Sequence, residues 1–292
     1  MANLKKKLPH NVDGEFWVDS TCIDCDTCRW QAPEVFGRHA EKSAVEKQPK
    51  GNDERRKSME ALLSCPTQSI GMSPPSKEIG EVRKSFPLPM GDEIYYNGFH
   101  DASSYGAASY LIKHPDGNIL VDVPRYDPVL ITSLEKLGGV RFLFLTHRDD
   151  VGDHQAFVDH FGCERILHQS ECRGELSVVE RPFSGYEAKG FLEEGKIIPT
   201  PGHTEGSMCL LWKETLFSGD HLAWSLRLGH LYAFRNHCWH DWEEQVRSLE
   251  ELRNHSFRRI LPGHGRRWER EEPGAMAEDL EACLRWCRES EA

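Results

Sequence analysis

The apolar residues fall into short runs that stop abruptly at polar or glycine-containing segments. Val140 to Leu145 carries Phe, Leu and Val and ends in Thr146-His147-Arg148-Asp149-Asp150, the pattern of a buried strand that opens into a polar loop. Phe16–Val18, Ile197-Ile198, Met208–Trp212, Thr215–Phe217 and the residues near Ile166 read as further strands, with Thr67–Ile70 closing the N-terminal part. Ala107–Lys113 and Asn118–Asp122 flank His114-Pro115-Asp116-Gly117, a hairpin signal through Asp-Gly. Helices are predicted over Asp53–Leu63 and from Asp127-Pro128 to Leu137, with Asp at the N-cap and Pro at the first turn. Others run up to Phe161, from Asp241-Trp242 to about Asn254 with Val246, Leu249 and Leu252 on one face, and from Pro273 onward. The alternation of strands and helices after residue 91 predicts a layered α/β domain.

Punctuation divides the chain. Ser73-Pro74-Pro75 through Pro87-Leu88-Pro89 is rich in proline and charge, so the expected organisation is a small domain over 1–80, a linker over 81–90 and a larger domain over 91–292. The formal net charge is -11. Acidic and basic residues balance over the first 80 positions, so the excess lies in the larger domain. Net acidity, with no basic run beyond Lys5-Lys6-Lys7, argues against nucleic acid as the partner. No run approaches ~18 apolar residues, and the lysines lead into Leu8-Pro9-His10 rather than an apolar stretch, so neither a membrane span nor a signal peptide is expected. Ten cysteines in such a chain suit a reducing, cytoplasmic setting with metal-bound or free thiols.

Four of these cysteines form a pattern. Cys22, Cys25 and Cys28 are spaced C-x-x-C-x-x-C, and Cys65 follows far downstream with Pro66 behind it. Three thiolates at that spacing wrap one corner of an iron–sulfur cube and a remote fourth completes it. Zinc held by four thiolates usually comes as paired C-x-x-C knuckles, which are missing here. With Ala32-Pro33-Glu34-Val35-Phe36 and Cys65-Pro66 leading to Ile70, the segment resembles a bacterial-type ferredoxin. The second cysteine group of two-cluster ferredoxins is absent, so the resemblance implies one 4Fe-4S cluster in a small α+β ferredoxin-like domain.

The larger domain has its own constellation. His147, Asp149, Asp150, Asp153 and His154 lie within eight residues, the mixture of neutral nitrogen and anionic oxygen that a hydrolytic metal site needs. Three later pieces each place one His or Asp at a strand mouth beside a glycine: Pro201-Gly202-His203-Thr204, Ser218-Gly219-Asp220 and Pro262-Gly263-His264-Gly265. In this order the set resembles the metallo-β-lactamase superfamily over about Asp92 to Trp268. The resemblance implies an αββα sandwich and one or two divalent ions. Metal ligands are then expected among His147, Asp149, Asp150, His154, His203, Asp220 and His264, with Asp149 also holding or orienting a water as the catalytic residue.

The first motif departs from the family's H-x-H-x-D-H. In one alignment His147 is the first ligand and Asp153-His154 form a displaced pair. In the other, preferred because it leaves a longer helix before Phe161-Gly162, His147 takes the second His position, Asp149 the Asp position and Asp150 the final His position. His154 then lies one helical turn beyond Asp150 and replaces the missing imidazole. Either way the site is richer in carboxylate, which favours iron or manganese over zinc or leaves one metal position weak. The flavodiiron branch of the superfamily also carries a carboxylate in this motif.

The Trp- and His-rich segment from Leu222 to Trp242 suggests a pocket wall of Trp224, Arg227, Tyr232, Arg235 and Trp239, with His221 beside Asp220 as a supporting or substrate-binding group. The remaining histidines His160, His168, His230, His237, His240 and His255, and the pair Cys283/Cys287, read as packing or surface residues. The leading functional expectation is a metal-dependent hydrolase of an ester, thioester or related bond in a small molecule, with an attached electron-transfer module and a redox partner protein. The alternatives are an oxidoreductase in which the cluster passes electrons to an iron site, and a cluster that is only a structural or redox-sensing element.

Overall fold

The computed structural model describes residues 2–272 and 274–289. Pro273, expected to start the C-terminal helix, lies outside these residues; the helix runs Ala275–Glu289. The chain forms two compact units, residues 1–141 with 152–161, and residues 142–151 with 162–292.

In the first unit, Phe16–Val18 pairs antiparallel with Ile70–Met72, and the hairpin Phe36–His39/Lys42–Val45 lies between them in sequence. The closing strand begins at Ile70 rather than Thr67 because Gln68 takes a left-handed conformation. The Ser69 amide is turned toward the Cys65 sulfur instead of a strand partner. Helix Gly51–Ser64 delivers Cys65. The stretch expected to be a linker is folded: Glu78–Lys84 is a helix and Leu88–Pro89 pairs with Tyr95-Tyr96. Its prolines bracket these elements rather than keeping the chain extended. Ile94–Tyr96, Tyr110–Ile112 and Ile119–Val121 continue the antiparallel ladder. Asp127 caps the helix Pro128–Lys136 by accepting from the amides of Val129 and Leu130, as its position before Pro128 predicted.

In the second unit, Phe142–Phe144, Glu164–His168 and Arg181–Phe183 pair in parallel. Six strands form another sheet in the order Lys189–Phe191, Gly195–Pro199, Met208–Trp212, Thr215–Gly219, Arg259–Pro262, Trp268–Glu269. Only Thr215–Gly219 and Arg259–Pro262 are parallel in it. The helix Trp242–Glu251 is capped by the Asp241 carboxylate on the Glu244 amide at 2.7 Å. It packs with Ala275–Glu289 over a core that includes Leu216, Leu249, Ile260 and Leu284. Cys283 and Cys287 sit fully buried in that core, as packing residues should. Among the described residues no helix is long and apolar enough to cross a membrane.

Candidate metal centre and cluster site

Parallel pairing brings Asp220 and His264 together. Gly219 stands opposite Pro262, and the register shifts between Phe217 and Gly219. Such an irregularity bends a strand end and re-aims the side chain that follows. Both strands end at the same rim, so Nδ1 of His264 lies 2.8 Å and 2.9 Å from the two carboxylate oxygens of Asp220. The His264 amide also donates to Asp220 Oδ1 at 3.2 Å.

His147 follows the strand Phe142–Phe144. The Thr146 hydroxyl lies 2.9 Å from its Nδ1 and holds the ring. Its Nε2 faces Asp150 Oδ2 at 3.6 Å and Asp220 Oδ2 at 4.0 Å, and is buried without a hydrogen bond. His203 stands edge-on to His147, with ring centres 4.7 Å apart, and its Nε2 is 3.8 Å from Asp220 Oδ2 and 3.7 Å from Asp149 Oδ2. Its loop is tied by Thr200 and Ser207 backbone bonding and by the Trp239 amide donating to the His203 carbonyl at 2.8 Å. Gly202 is required there. Its φ is +139°, and a Cβ would meet the Gln245 backbone at 2.3 Å.

Two groups of donors result, His147/His203/Asp220 and Asp150/Asp220/His264, each with ligand atoms within 4.8 Å of one another. Burial, with the neighbouring His203, pushes His147 down to about 3, and burial also lowers His203. Burial opposes ionisation of Asp220, yet His264, His147 and His203 hold its carboxyl well below the usual range. Neutral imidazoles around an ionised carboxylate, with a buried ring nitrogen lacking a partner, fit a divalent ion.

The other expected site residues are placed as follows. Asp149 lies at the exposed rim between His203 and Arg148. His154 is buried but is in neither donor group. The helix that was to carry it one turn beyond Asp150 runs only His154–Phe161, so Asp150 precedes the helix and the shared-face argument does not apply. His221 is 1% exposed. Burial and His203 push it down to about 3, and its carbonyl accepts from the Gln245 side chain.

The expected pocket wall disperses. Trp224 stacks on Trp268 with centroids 3.4 Å apart, Tyr232 packs on Phe234 and Trp286, Arg235 covers the Trp242 ring, and Arg227 is exposed on a turn. Trp239 lies 6.4 Å from the His203 ring, and the Tyr232 hydroxyl lies against Gly265, next to His264. Aromatic spacing carried no information on which face would meet the C-terminal helix.

Sequence reasoning passed over Glu171. This carboxylate is fully buried. Oε1 accepts from the Gly206 amide at 2.8 Å and Oε2 from the Arg148 amide at 3.2 Å, so one side chain braces the loops of both His147 and His203. Its available signal was an acidic residue three positions after the strand Glu164–His168.

In the first unit Cys22, Cys25, Cys28 and Cys65 line one pocket together with Val18, Ile23 and Ile70. Left-handed backbone at Asp24 and Asp26 curls the loop, and Arg29 holds both carboxylates at 2.5 Å. The Ser43 and Ser69 amides point at the sulfurs of Cys22 and Cys65 at 3.4 Å and 3.3 Å. Burial pushes the Cys25 thiol up to about 11 and raises Cys28 and Cys65. Four cysteines lining one pocket, two of their sulfurs with amide N–H donors aimed at them, fit an iron–sulfur cluster, whose iron would supply the missing positive charge.

Comparison with known proteins agrees with this geometry. Residues 18–72 match the 4Fe-4S single cluster domain of Ferredoxin I. A probable metallo-hydrolase of Methanocaldococcus jannaschii is 26% identical over 192 residues, covering 55% of this chain and 88% of the relative. A hydroxyacylglutathione hydrolase of Anaeromyxobacter dehalogenans is 28% identical over 129 residues, 43% of this chain and 50% of the relative; the chain thus spans about half the length of that enzyme. Among solved structures, the metallo-β-lactamase FIM-1 from Pseudomonas aeruginosa in its mono-zinc form superposes with a TM-score of 0.54 at 17% identity, over 70% of this chain and 94% of its own. A metallo-β-lactamase from Hirschia baltica gives 0.51 at 14% identity, over 68% and 96%. The chain therefore joins a single-cluster 4Fe-4S ferredoxin domain to a metallo-β-lactamase fold whose sequence relatives are metallo-hydrolases.

Proposed function

We propose that the protein is a metal-dependent hydrolase that cleaves an ester, thioester or related carbonyl bond in a small-molecule substrate. The observation that carries this reading is the shared Asp220 carboxylate: Oδ2 faces His147 and His203, while Oδ1 lies 2.8 Å from His264 Nδ1, which is itself 3.6 Å from Asp150 Oδ2. In this reading His147, His203 and Asp220 hold one ion, and Asp150, Asp220 and His264 hold a second. Divalent ions in such a cage supply Lewis acidity toward a carbonyl and acidify water. The chain's own groups do the rest. Asp149, exposed at the rim 3.7 Å from His203 Nε2, orients the attacking water and takes up its proton. Glu171 keeps the two loops in register, and Thr146 fixes the His147 ring so that Nε2 is the donor. The name of the hydroxyacylglutathione hydrolases supports an acylated thiol as the first substrate class to test.

The donor set of two carboxylates and three imidazoles, with Asp149 at its rim, leans toward oxygen donors, which favours iron or manganese over zinc. The same feature supports the second reading, an oxidoreductase in which an iron site receives electrons from the cluster. On either reading a cytoplasmic redox partner protein feeds the cluster. The experiment is turnover of an ester and thioester panel by full-length protein loaded in turn with Fe, Mn or Zn. Hydrolysis that is lost on chelation and in Asp220→Ala supports the hydrolase. No turnover on any member with the metal positions filled, together with consumption of O2 or NO by the iron form, overturns it in favour of the redox enzyme.

A further inference from the structure

His100 and Tyr96 lie outside the ferredoxin match at residues 18–72, and neither belongs to the metal-site motifs. Both are nevertheless buried beside the cysteine cavity, at 1% and 2% exposure. The segment carrying them is bent to reach it. Gly98, Phe99, Tyr105 and Gly106 all take left-handed backbone conformations, which for non-glycine residues costs energy that the surroundings must repay. Gly106 approaches so closely that a Cβ would lie 3.1 Å from Cys25 Cβ, 3.3 Å from its sulfur and 2.9 Å from Pro66. The Tyr105 hydroxyl donates to the Ile23 carbonyl at 2.6 Å, inside the cysteine loop.

A continuous line of hydrogen bonds runs through this contact. Nδ1 of His100 is 2.6 Å from the Gly106 carbonyl and 3.2 Å from Thr27 Oγ1. A carbonyl only accepts, so Nδ1 carries the proton. Nε2 is then the acceptor in the neutral ring, and the Tyr96 hydroxyl donates to it at 2.6 Å. Tyr96 in turn accepts from the Gln31 side-chain amide. At the other end Thr27 Oγ1, which takes the longer branch of an Nδ1–H shared with the Gly106 carbonyl, lies 3.4 Å from Cys25 Sγ. A cysteine that ligates iron has no proton to give, so Thr27 is the donor to that sulfur.

We propose that this relay, Gln31–Tyr96–His100–Thr27, acts on the Cys25 thiolate and sets the reduction potential of the cluster. Each bond polarises the next in the same direction, and such chains strengthen in a low-dielectric interior. Hydrogen bonds to cluster sulfurs stabilise the more negative, reduced state and so raise the potential. The cluster of this protein is therefore tuned by residues of the downstream segment, and the ferredoxin module is not an independent carrier of fixed potential. His100 and Tyr96 are positioning residues that act through Thr27. If His100 were only a well-packed histidine, its network would affect stability and leave the potential of an intact cluster unmoved.

The test is an EPR-monitored redox titration of full-length protein with its cluster reconstituted. Thr27→Val, which removes the hydroxyl at almost constant volume, shifts the midpoint potential to a more negative value. Thr27→Ser, which restores the hydroxyl, returns it to the wild-type value. Tyr96→Phe, remote from the sulfur, gives a smaller shift of the same sign, and the Thr27→Val/Tyr96→Phe double variant shifts no further than Thr27→Val alone, because residues in one network are not additive. An unchanged potential in Thr27→Val, or full additivity in the double variant, overturns the proposal. Where Thr27→Val assembles no cluster, Tyr96→Phe decides: a negative shift supports the relay and an unchanged potential refutes it.

Discussion

The two cofactor sites are built in opposite ways. The cysteine site takes three donors from one seven-residue loop, Cys22–Cys28, and a fourth from the end of a helix. Its donors are soft, of one kind, and crowded against apolar side chains. The metal centre takes hard, mixed donors from four strand-end loops between His147 and His264, and each loop needs separate support: a bulge for Asp220, Thr146 for His147, Glu171 for the loops of His147 and His203 together. A loop that wraps its own cofactor depends on the spacing of a few residues. A site assembled from strand ends depends on the register of a whole sheet and on braces that touch no metal.

The largest expected effect that would break this contrast is at Asp220. Asp220→Ala should empty both donor groups at once, with affinity for divalent ions falling by more than the ~100-fold typical of losing an outer partner. Metal analysis that finds either group still filled would show that Asp220 is not shared. On the other side, Cys65→Ala should remove the cluster's visible absorption and destabilise the first unit, since binding energy at such sites is folding energy. Divalent metal in the second unit should stay at wild-type stoichiometry, and its loss would end the view of two separately built sites.

A brace should matter less than a ligand. Glu171→Gln keeps one carbonyl acceptor for the two amides and Glu171→Ala keeps none, so metal affinity should fall in that order, by ~10- to 100-fold for the alanine variant. Equal metal affinity in wild type and Glu171→Ala would remove Glu171 from the account. Gly202→Ala should cost ~1–3 kcal/mol from left-handed strain alone, more from the clash with Gln245, and it should loosen His203 specifically; a thermal melt paired with metal titration separates the two effects.

The smallest effect concerns a support that belongs to neither donor set. Arg165, with its side chain 5% exposed, clamps Glu180 through both guanidinium arms. That bonding holds the Glu180 carboxyl down to about 2. A carboxyl lowered in the folded state adds stability above its unfolded value, and that contribution fades as pH falls from there toward about 2. Glu180 is partly exposed, so the contribution is screened to ~1 kcal/mol. Wild type should melt above Glu180→Gln at pH 6, and the gap should narrow steadily on acidification toward pH 3. A constant gap would place the stabilisation in packing rather than charge.

The difference in construction also explains what could be read in advance. The cysteine loop, the hairpin at His114–Gly117 and the capped helix after Asp127 were legible because each depends on neighbours in sequence. The strand-end motifs at His203, Asp220 and His264 were legible because glycine and proline mark where strands stop. His154 was drawn toward the site by an assumed helix start, and the helix begins four residues later than that assumption needed. The expected linker folds because its apolar residues, Val82 and Phe86, find a core to enter, which composition does not reveal.

By itself the amino-acid order determined which donors this protein carries, the cysteine spacing that encircles a cluster, and the sequence of strands and helices, because these depend on residue chemistry and short-range geometry. Only the tertiary structure decided that Asp220 stands between two groups, that a buried Glu171 ties distant loops, that Trp224 and Tyr232 turn into packing, and that His100 reaches the cysteine loop. Those outcomes come from strand register and from which faces meet, and two residues far apart in the chain carry no local mark of the partner they will touch.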